Sequence, residues 1–150
     1  MKPKRVEDSY TEQVQVLGLA NMNGNDRLFG GTLMSWIDIV AAVVARRHSN
    51  RNVTTASVSE LTFKAPAFAN DTLLLCGHIT YAGRTSMEIC VESYVEELNG
   101  ARKLINTAYL TMVALDENGT PCTVPPLLIE TEKQRLEYEA AIERRNKRNK

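Results

Sequence analysis

The chain reads as an α+β domain in which an antiparallel sheet of about five strands wraps one long central helix, with a charged helix added at the C-terminus. Three observations predict this. From Gly30 onward the apolar residues Leu33, Met34, Ile37, Val40, Ala41 and Val44 recur at helical spacing. Past Asn52 that period is lost, and β-branched and aromatic residues crowd VTTASVSELTF. Finally, MEICVESYVEE alternates: Met87, Ile89, Val91, Ser93 and Val95 fall on one side, and Glu88, Cys90, Glu92, Tyr94 and Glu96 on the other, the pattern of an antiparallel sheet with one covered face. A chain of 150 residues is long enough to bury about 68–70% of its unfolded surface without staples.

Each element follows in order. Thr11 to Leu19 carries Val14, Val16 and Leu17 between polar neighbours and predicts a peripheral first strand. Asn21 to Asp26 is a run of Asn, Gly and Asp, the residue types that build turns. The helix ends on Arg46 and Arg47, where a cation suits the dipole, and Asp38 falls at the margin of its buried face, beside Met34 and Ala41. Pro66 closes the next strand, Asn70-Asp71 opens TLLLCGHITY, and Gly83 separates that run from one beginning near Thr85. Asn99-Gly100 predicts a hairpin, and KLINTAYLTMVAL lacks polar alternation, as an interior strand does. The four later strands are expected to form a meander. Beyond PCTVPP, Thr131 to Lys150 alternates acidic and basic groups and predicts an exposed, fraying helix to which no chemistry is assigned. Residues 1–130 then form the domain and 131–150 a charged helical tail.

Composition narrows the function classes. Eighteen basic and 18 acidic residues leave zero formal charge, so no global field draws the chain to nucleic acid or an anionic membrane. Cys76, Cys90 and Cys122 are odd in number and form no CxxC, which argues against a disulfide framework or a zinc site. MKPKRVEDSY has no apolar leader core, and no 18-residue apolar run occurs. A cytoplasmic protein without a metal is expected.

The chemistry points to Asn23–Arg47. Gly30-Gly31 opens the helix, where small residues permit close approach and free first-turn N–H groups attract an anion, and a carboxylate follows within two turns at Asp38. Against this, Asp38 is also what a solvated helix margin carries, Asn23 suits a simple turn, and the glycines suit helix-to-sheet packing. His48 is expected at the surface, His78 at the surface or satisfied by a partner, and Cys76 and Cys90 as small strand residues.

Four segments in order resemble the hotdog-fold acyl-CoA thioesterases, the acyl-CoA hydrolase family: the loop Asn23 to Gly31, the helix text LMSWIDIVAAVVA, VTTASVSELTFKAP, and GRTSMEICVE. The resemblance covers roughly Thr11 to Pro126. Family members often have Gly where this chain has Asp26, a residue that tolerates positive φ. The resemblance implies hydrolysis of an acyl-CoA thioester to a carboxylic acid and coenzyme A, with no cofactor beyond the coenzyme A of the substrate. It implies homodimers with sites at the dimer interface, often assembled into trimers of dimers, and pairs Asn23 of one protomer with Asp38 of the other. Asp38 would activate water or attack directly, Asn23 would orient the water or the carbonyl, and the Gly31 N–H would stabilise the oxyanion. Arg84, Thr85 and Ser86 resemble the family's coenzyme-binding loop, and Ser57 and Lys64 would line the pantetheine channel or meet a phosphate. The thiolate leaving group has a conjugate acid with a pKa of about 8.5 by analogy with Cys, so a strong general acid is dispensable. Two rivals remain: a non-catalytic acyl-CoA-binding module, and a hydratase or dehydratase, which commonly needs a His beside a carboxylate.

Overall fold

The computed structural model describes residues 1–149. In chain order its elements are β1 (Lys4–Arg5), β2 (Thr11–Val16), α1 (Gly30–Ser49), β3 (Asn52–Phe63), β4 (Thr72–Ala82), β5 (Ser86–Glu96), β6 (Arg102–Leu115), β7 (Leu127–Leu128) and α2 (Glu132–Arg148). The main sheet is antiparallel and ordered β2-β4-β5-β6-β3, while β1 and β7 form a small parallel pair.

One sequence expectation is corrected by this order. Only β4, β5 and β6 form a meander; β3 lies beside β6 at the far edge, and β2 takes the place next to β4. The link from β3 to β4 is too long for a tight hairpin. It stays with β6 at Lys64, whose N–H donates to Ile105 O (2.8 Å), meets Leu28 through Ala67 O (2.8 Å), and reaches the β2 side where Asn70 N–H donates to Leu17 O (2.8 Å). Asn70 makes the final turn at φ 71°.

The core lies between α1 and the concave face of the sheet. Leu33, Ile37, Val40, Ala41 and Val44 of α1 are buried against Leu73, Leu75, Ile79, Met87, Ile89, Val91, Leu110 and Met112. Fully burying one such aliphatic side chain contributes about 1.5–3 kcal/mol. Helix and sheet come closest at Gly77, where a Cβ would stand 2.7 Å from Val40 Cγ1 and 3.0 Å from Val44 Cγ2. At its C-terminus α1 is closed by Asn50 in the left-handed region (φ 57°), with its N–H on Arg46 O (2.8 Å). The ammonium of Lys4 donates to Arg47 O (2.6 Å) and His48 O (3.0 Å), satisfying carbonyls that the helix leaves open.

His48 is not at the surface. The segment after β6 folds back over the end of α1, buries the imidazole completely, and sets Pro125 O 2.7 Å from Nε2. Burial lowers its pKa below the usual histidine value.

The C-terminal helix is likewise not a free, fraying tail. Thr131 caps α2 by accepting from the Gln134 N–H (3.1 Å), and the helix lies on the convex face of the sheet. Arg144 donates to both oxygens of Glu88 (2.7 and 3.0 Å), and its guanidinium stands 3.7 Å from the Tyr109 ring centre. Tyr138 packs on Tyr81 with ring centres 5.0 Å apart, and His78 Nε2 lies 2.6 Å from Glu137 Oε2. The convex side of β5 is therefore partly covered, which is why Glu88 is buried despite its position on the polar side of the alternation. Among the described residues, no helix is long and apolar enough to cross a membrane.

Candidate functional site

Asp38 projects from the third turn of α1 toward β3, half-buried at the margin predicted for it. Thr55 Oγ1 donates to its Oδ1 at 2.6 Å, fixing the carboxylate's orientation and leaving Oδ2 for another partner. Thr55 was not singled out in the sequence, where a Thr pair in a β-rich run signals strand propensity. The available signal was that a hydroxyl on the strand following the helix would face the helix carboxylate if β3 ran beside α1.

Asn23 organises the loop before α1. Its Oδ1 accepts from the N–H groups of Asn25 (2.8 Å) and Arg27 (3.2 Å), while Arg27 O accepts its own N–H (2.7 Å). Asp26 adopts φ 59°, so the loop keeps the path that Gly would allow. Asn23 thus has the turn role anticipated as the simple alternative, and it also lines a cleft of about 340 Å³ with Leu28, Leu33, Phe63, Lys64 and Ile105.

The start of α1 borders this cleft through Phe63, whose ring would lie 3.8 Å from a Cβ on Gly30, an ordinary contact. The atoms nearest to a Cβ on Gly31 would be those of the Phe29 ring, the first at 2.7 Å. Helix-to-sheet packing therefore requires neither glycine. The first turn has no side-chain cap, and its first backbone bond is from Leu33 N–H to Phe29 O (3.1 Å), so the amides of Gly30 and Gly31 precede the helical ladder.

Within one chain, Asn23 and Asp38 stand at opposite ends of β3. Asp38 is tied to Thr55, whereas the Asn23 cleft is walled by Phe63 and Lys64. Along α1 the same two places are marked by Gly30, beside Phe63, and Asp38, bonded to Thr55, which are about 12 Å apart on the helix axis. Among the described residues no hydrogen bond joins Asn23 to Asp38 within the chain.

The other predicted residues separate in the same way. Lys64 lines the Asn23 cleft rather than accompanying Ser57. Arg84 and Thr85 form the turn between β4 and β5, with Arg84 exposed, and Ser86 opens β5. The tail helix supplies the cations here: Arg145 donates to Ser86 Oγ (2.9 Å), and Arg148 donates to Thr111 Oγ1 (2.8 Å) and lies 3.5 Å from Ser57 Oγ. A cleft of about 450 Å³ runs between Ser57, Val58, Glu60, Arg144, Lys147 and Arg148. These α2 cations were absent from the sequence-based site because the tail was expected to be exposed and without chemistry.

The Thioesterase superfamily model matches residues 25–100, from the Asn23 loop through β5. The chain is also 41% identical over 127 residues to an uncharacterized acyl-CoA thioester hydrolase of Bacillus subtilis, covering 84% of this chain and 74% of that one. This chain belongs to the thioesterase superfamily. The fold agrees with that membership. An apo hexameric acyl-CoA thioesterase superposes with a TM-score of 0.95 at 38% identity, covering 99% of this chain and 96% of the other. The acyl-CoA hydrolase of Staphylococcus aureus, solved in complex with butyryl coenzyme A, coenzyme A and coenzyme A disulfide, gives 0.92 at 33% identity over 97% and 90% of the two chains. Variants of that hydrolase with one Asp, one Asn or one Thr replaced by alanine have also been solved. The hotdog architecture expected from the sequence is thus the architecture of this thioesterase.

Proposed function

We propose that this thioesterase hydrolyses acyl-CoA thioesters to a carboxylic acid and coenzyme A, at sites shared by two protomers. The carrying observation is the separation of Asn23 from Asp38 along β3, an edge strand with one partner. If two copies pair their β3 strands antiparallel about a two-fold axis, the Thr55 end of one strand comes beside the Phe63 end of the other. Asp38 of one protomer then faces the Asn23 cleft of its partner. The three alanine-replaced positions of the S. aureus hydrolase have, within that sequence, the spacing that Asn23, Asp38 and Thr55 have here, which supports assigning these three residues to one reaction. The hexamer formed by one structural neighbour supports a dimer-based assembly such as a trimer of dimers.

In this reading, the carboxylate of Asp38, held by Thr55, takes a proton from the attacking water or attacks the thioester carbon itself. Asn23, whose Oδ1 is occupied by its own loop, offers Nδ2–H to the carbonyl. The N–H of Gly31 at the start of α1 donates to the oxyanion, a contribution of about 10²–10³ in rate for one well-placed donor. Thiolate departs without a dedicated acid. Arg84, Thr85 and Ser86, with Arg145 and Arg148 behind them, form the cationic, hydroxyl-rich region that suits the phosphates of coenzyme A. Ser57 lies on that side, and Lys64 marks the entrance to the acyl cleft.

Thiol release from short-, medium- and long-chain acyl-CoAs tests the reading. Turnover is expected, and Asp38→Ala should lower kcat by about 10²–10⁴ with the fold retained. Wild type that binds acyl-CoA without releasing thiol from any of them would replace hydrolysis with simple binding.

A further inference from the structure

On the convex face of the sheet, opposite Asp38, the register of β4 and β5 brings together residues that are far apart in sequence. His78 is directly across from Cys90, and Cys76 directly across from Glu92. Cross-strand neighbours have Cβ atoms about 4.5–5.5 Å apart and turn their side chains to the same face. One ligand atom each from His78, Cys90 and Glu92 all lie within 4.8 Å of one another. They are the one such group of three metal-ligating side chains found among the described residues. We propose that His78, Cys90 and Glu92 form a binding site for a divalent cation of the zinc class, a site separate from the thioester chemistry.

The donor set fits that ion. Thiolate, imidazole and carboxylate together suit Zn²⁺ or Co²⁺, whereas Mg²⁺ and Ca²⁺ take oxygen donors. Tetrahedral zinc, with bonds of about 2.0–2.3 Å, sets its ligand atoms about 3.3–3.6 Å apart. A group already within 4.8 Å reaches that spacing by closing roughly 1 Å, a side-chain movement that leaves the strands in place. Three protein ligands leave a fourth position for water.

The surroundings support the same conclusion. Glu137 of α2 lies 2.6 Å from His78 Nε2, so the imidazole would ligate through Nδ1, with the carboxylate on its other nitrogen orienting the ring. Cys90 is buried at 4% exposure, beside Glu92. A cation bound there would offset the charge of the nearby carboxylates and take the thiol as thiolate, its proton going to solvent. The site is reachable: a cleft of about 480 Å³, lined by Tyr10, Cys76, His78, Glu92 and Glu137 among others, opens onto it.

Two neighbouring arginines are engaged elsewhere, and Lys133 is near Glu137. Arg144 is paired with Glu88, Arg102 with Glu96, and Lys133 stands 3.9 Å from the other oxygen of Glu137. An ion at His78 also strengthens the hold of the sheet on α2, because Glu137 fixes the imidazole from the helix side.

Cobalt(II) chloride titrated into the chelator-treated, full-length oligomer tests the proposal through thiolate-to-cobalt charge-transfer absorption. One equivalent per chain is expected to produce the band and to be displaced by zinc. Cys90→Ser should abolish the band. Glu92→Gln should weaken zinc binding at least about 10-fold, and Glu137→Gln by about 10–100-fold, the usual effect of removing a ligand's supporting carboxylate. Cys76→Ser should retain the band, since Cys76 Sγ is turned toward Glu12 (3.9 Å). Thiol release from acyl-CoA should be unchanged in Cys90→Ser and in chelator-treated protein, so failure of this proposal and failure of the hydrolase reading are distinguishable. No band in folded wild type, or a band that survives Cys90→Ser, would overturn the site.

Discussion

β4 and β3 differ by one residue in length, 11 against 12, and have opposite surroundings. β4 is paired on both edges, rests on α1 and is partly roofed by α2, and Leu73, Leu75 and Ile79 are fully buried. β3 is paired only with β6 and leaves Val58, Leu61 and Phe63 exposed at 41%, 39% and 54%. Ile39 of α1 is 53% exposed as well. A long strand edge with apolar side chains favours further pairing unless something covers it. The opposite edge, β2, is half the length of β3 and interleaves Glu12, Gln13 and Gln15 with its valines. The contrast separates two tasks: β4 stabilises the protomer, and β3 presents the surface where two protomers complete a site.

Substitutions in the two strands should divide accordingly. The largest stability loss is expected for Leu75→Ala in β4, about 2–5 kcal/mol, measured by chemical denaturation at fixed protein concentration. Gly77→Ala should cost about 1–3 kcal/mol, because its Cβ would collide with Val40 and Val44, and both belong to a packed helix. In β3, Leu61→Lys should change protomer stability by no more than about 0.5 kcal/mol while lowering the solution mass and abolishing turnover. A stability loss for Leu61→Lys matching that of Leu75→Ala would erase the contrast.

A smaller effect follows from His48, buried at the end of α1. Burial lowers its pKa in the folded state, so between about 6.5, the unfolded value, and the depressed folded value the unfolded chain binds more protons. Its contribution is intact above that window and is lost as pH falls through it. Tm should therefore decline from about pH 7 to pH 5, with a shallower slope in His48→Gln; equal slopes would remove His48 from this role.

Much of this was legible in the sequence, and the parts that were not have a common cause. The period of Leu33, Ile37, Val40 and Val44 predicts α1 and its buried face, and Asn99-Gly100 predicts a hairpin that does form, with Gly100 at φ 87°. Asp38 falls at the predicted helix margin because periodicity fixes a residue's direction on its own helix. Periodicity does not tell which strand becomes a neighbour, so the position of β3 beside β6 and the contact from Thr55 to Asp38 were missed. The docking of α2 was missed because it uses ion pairs and aromatic stacking on Glu88, Tyr109 and Tyr81 rather than an apolar stripe. The grouping of His78, Cys90 and Glu92 depends on cross-strand register, which spacing along the chain does not reveal.

The shared-site claim is tested most directly by mixing two defective variants. Asp38→Ala and Asn23→Ala homodimers each lack one member of every site. After subunit exchange, half of the dimers are mixed, and each mixed dimer holds one intact Asn23–Asp38 pair and one doubly defective pair, so about a quarter of wild-type thiol release should return. Activity that stays at the level of the separate variants, with exchange verified by mass, would place both residues' action within one protomer and contradict the account.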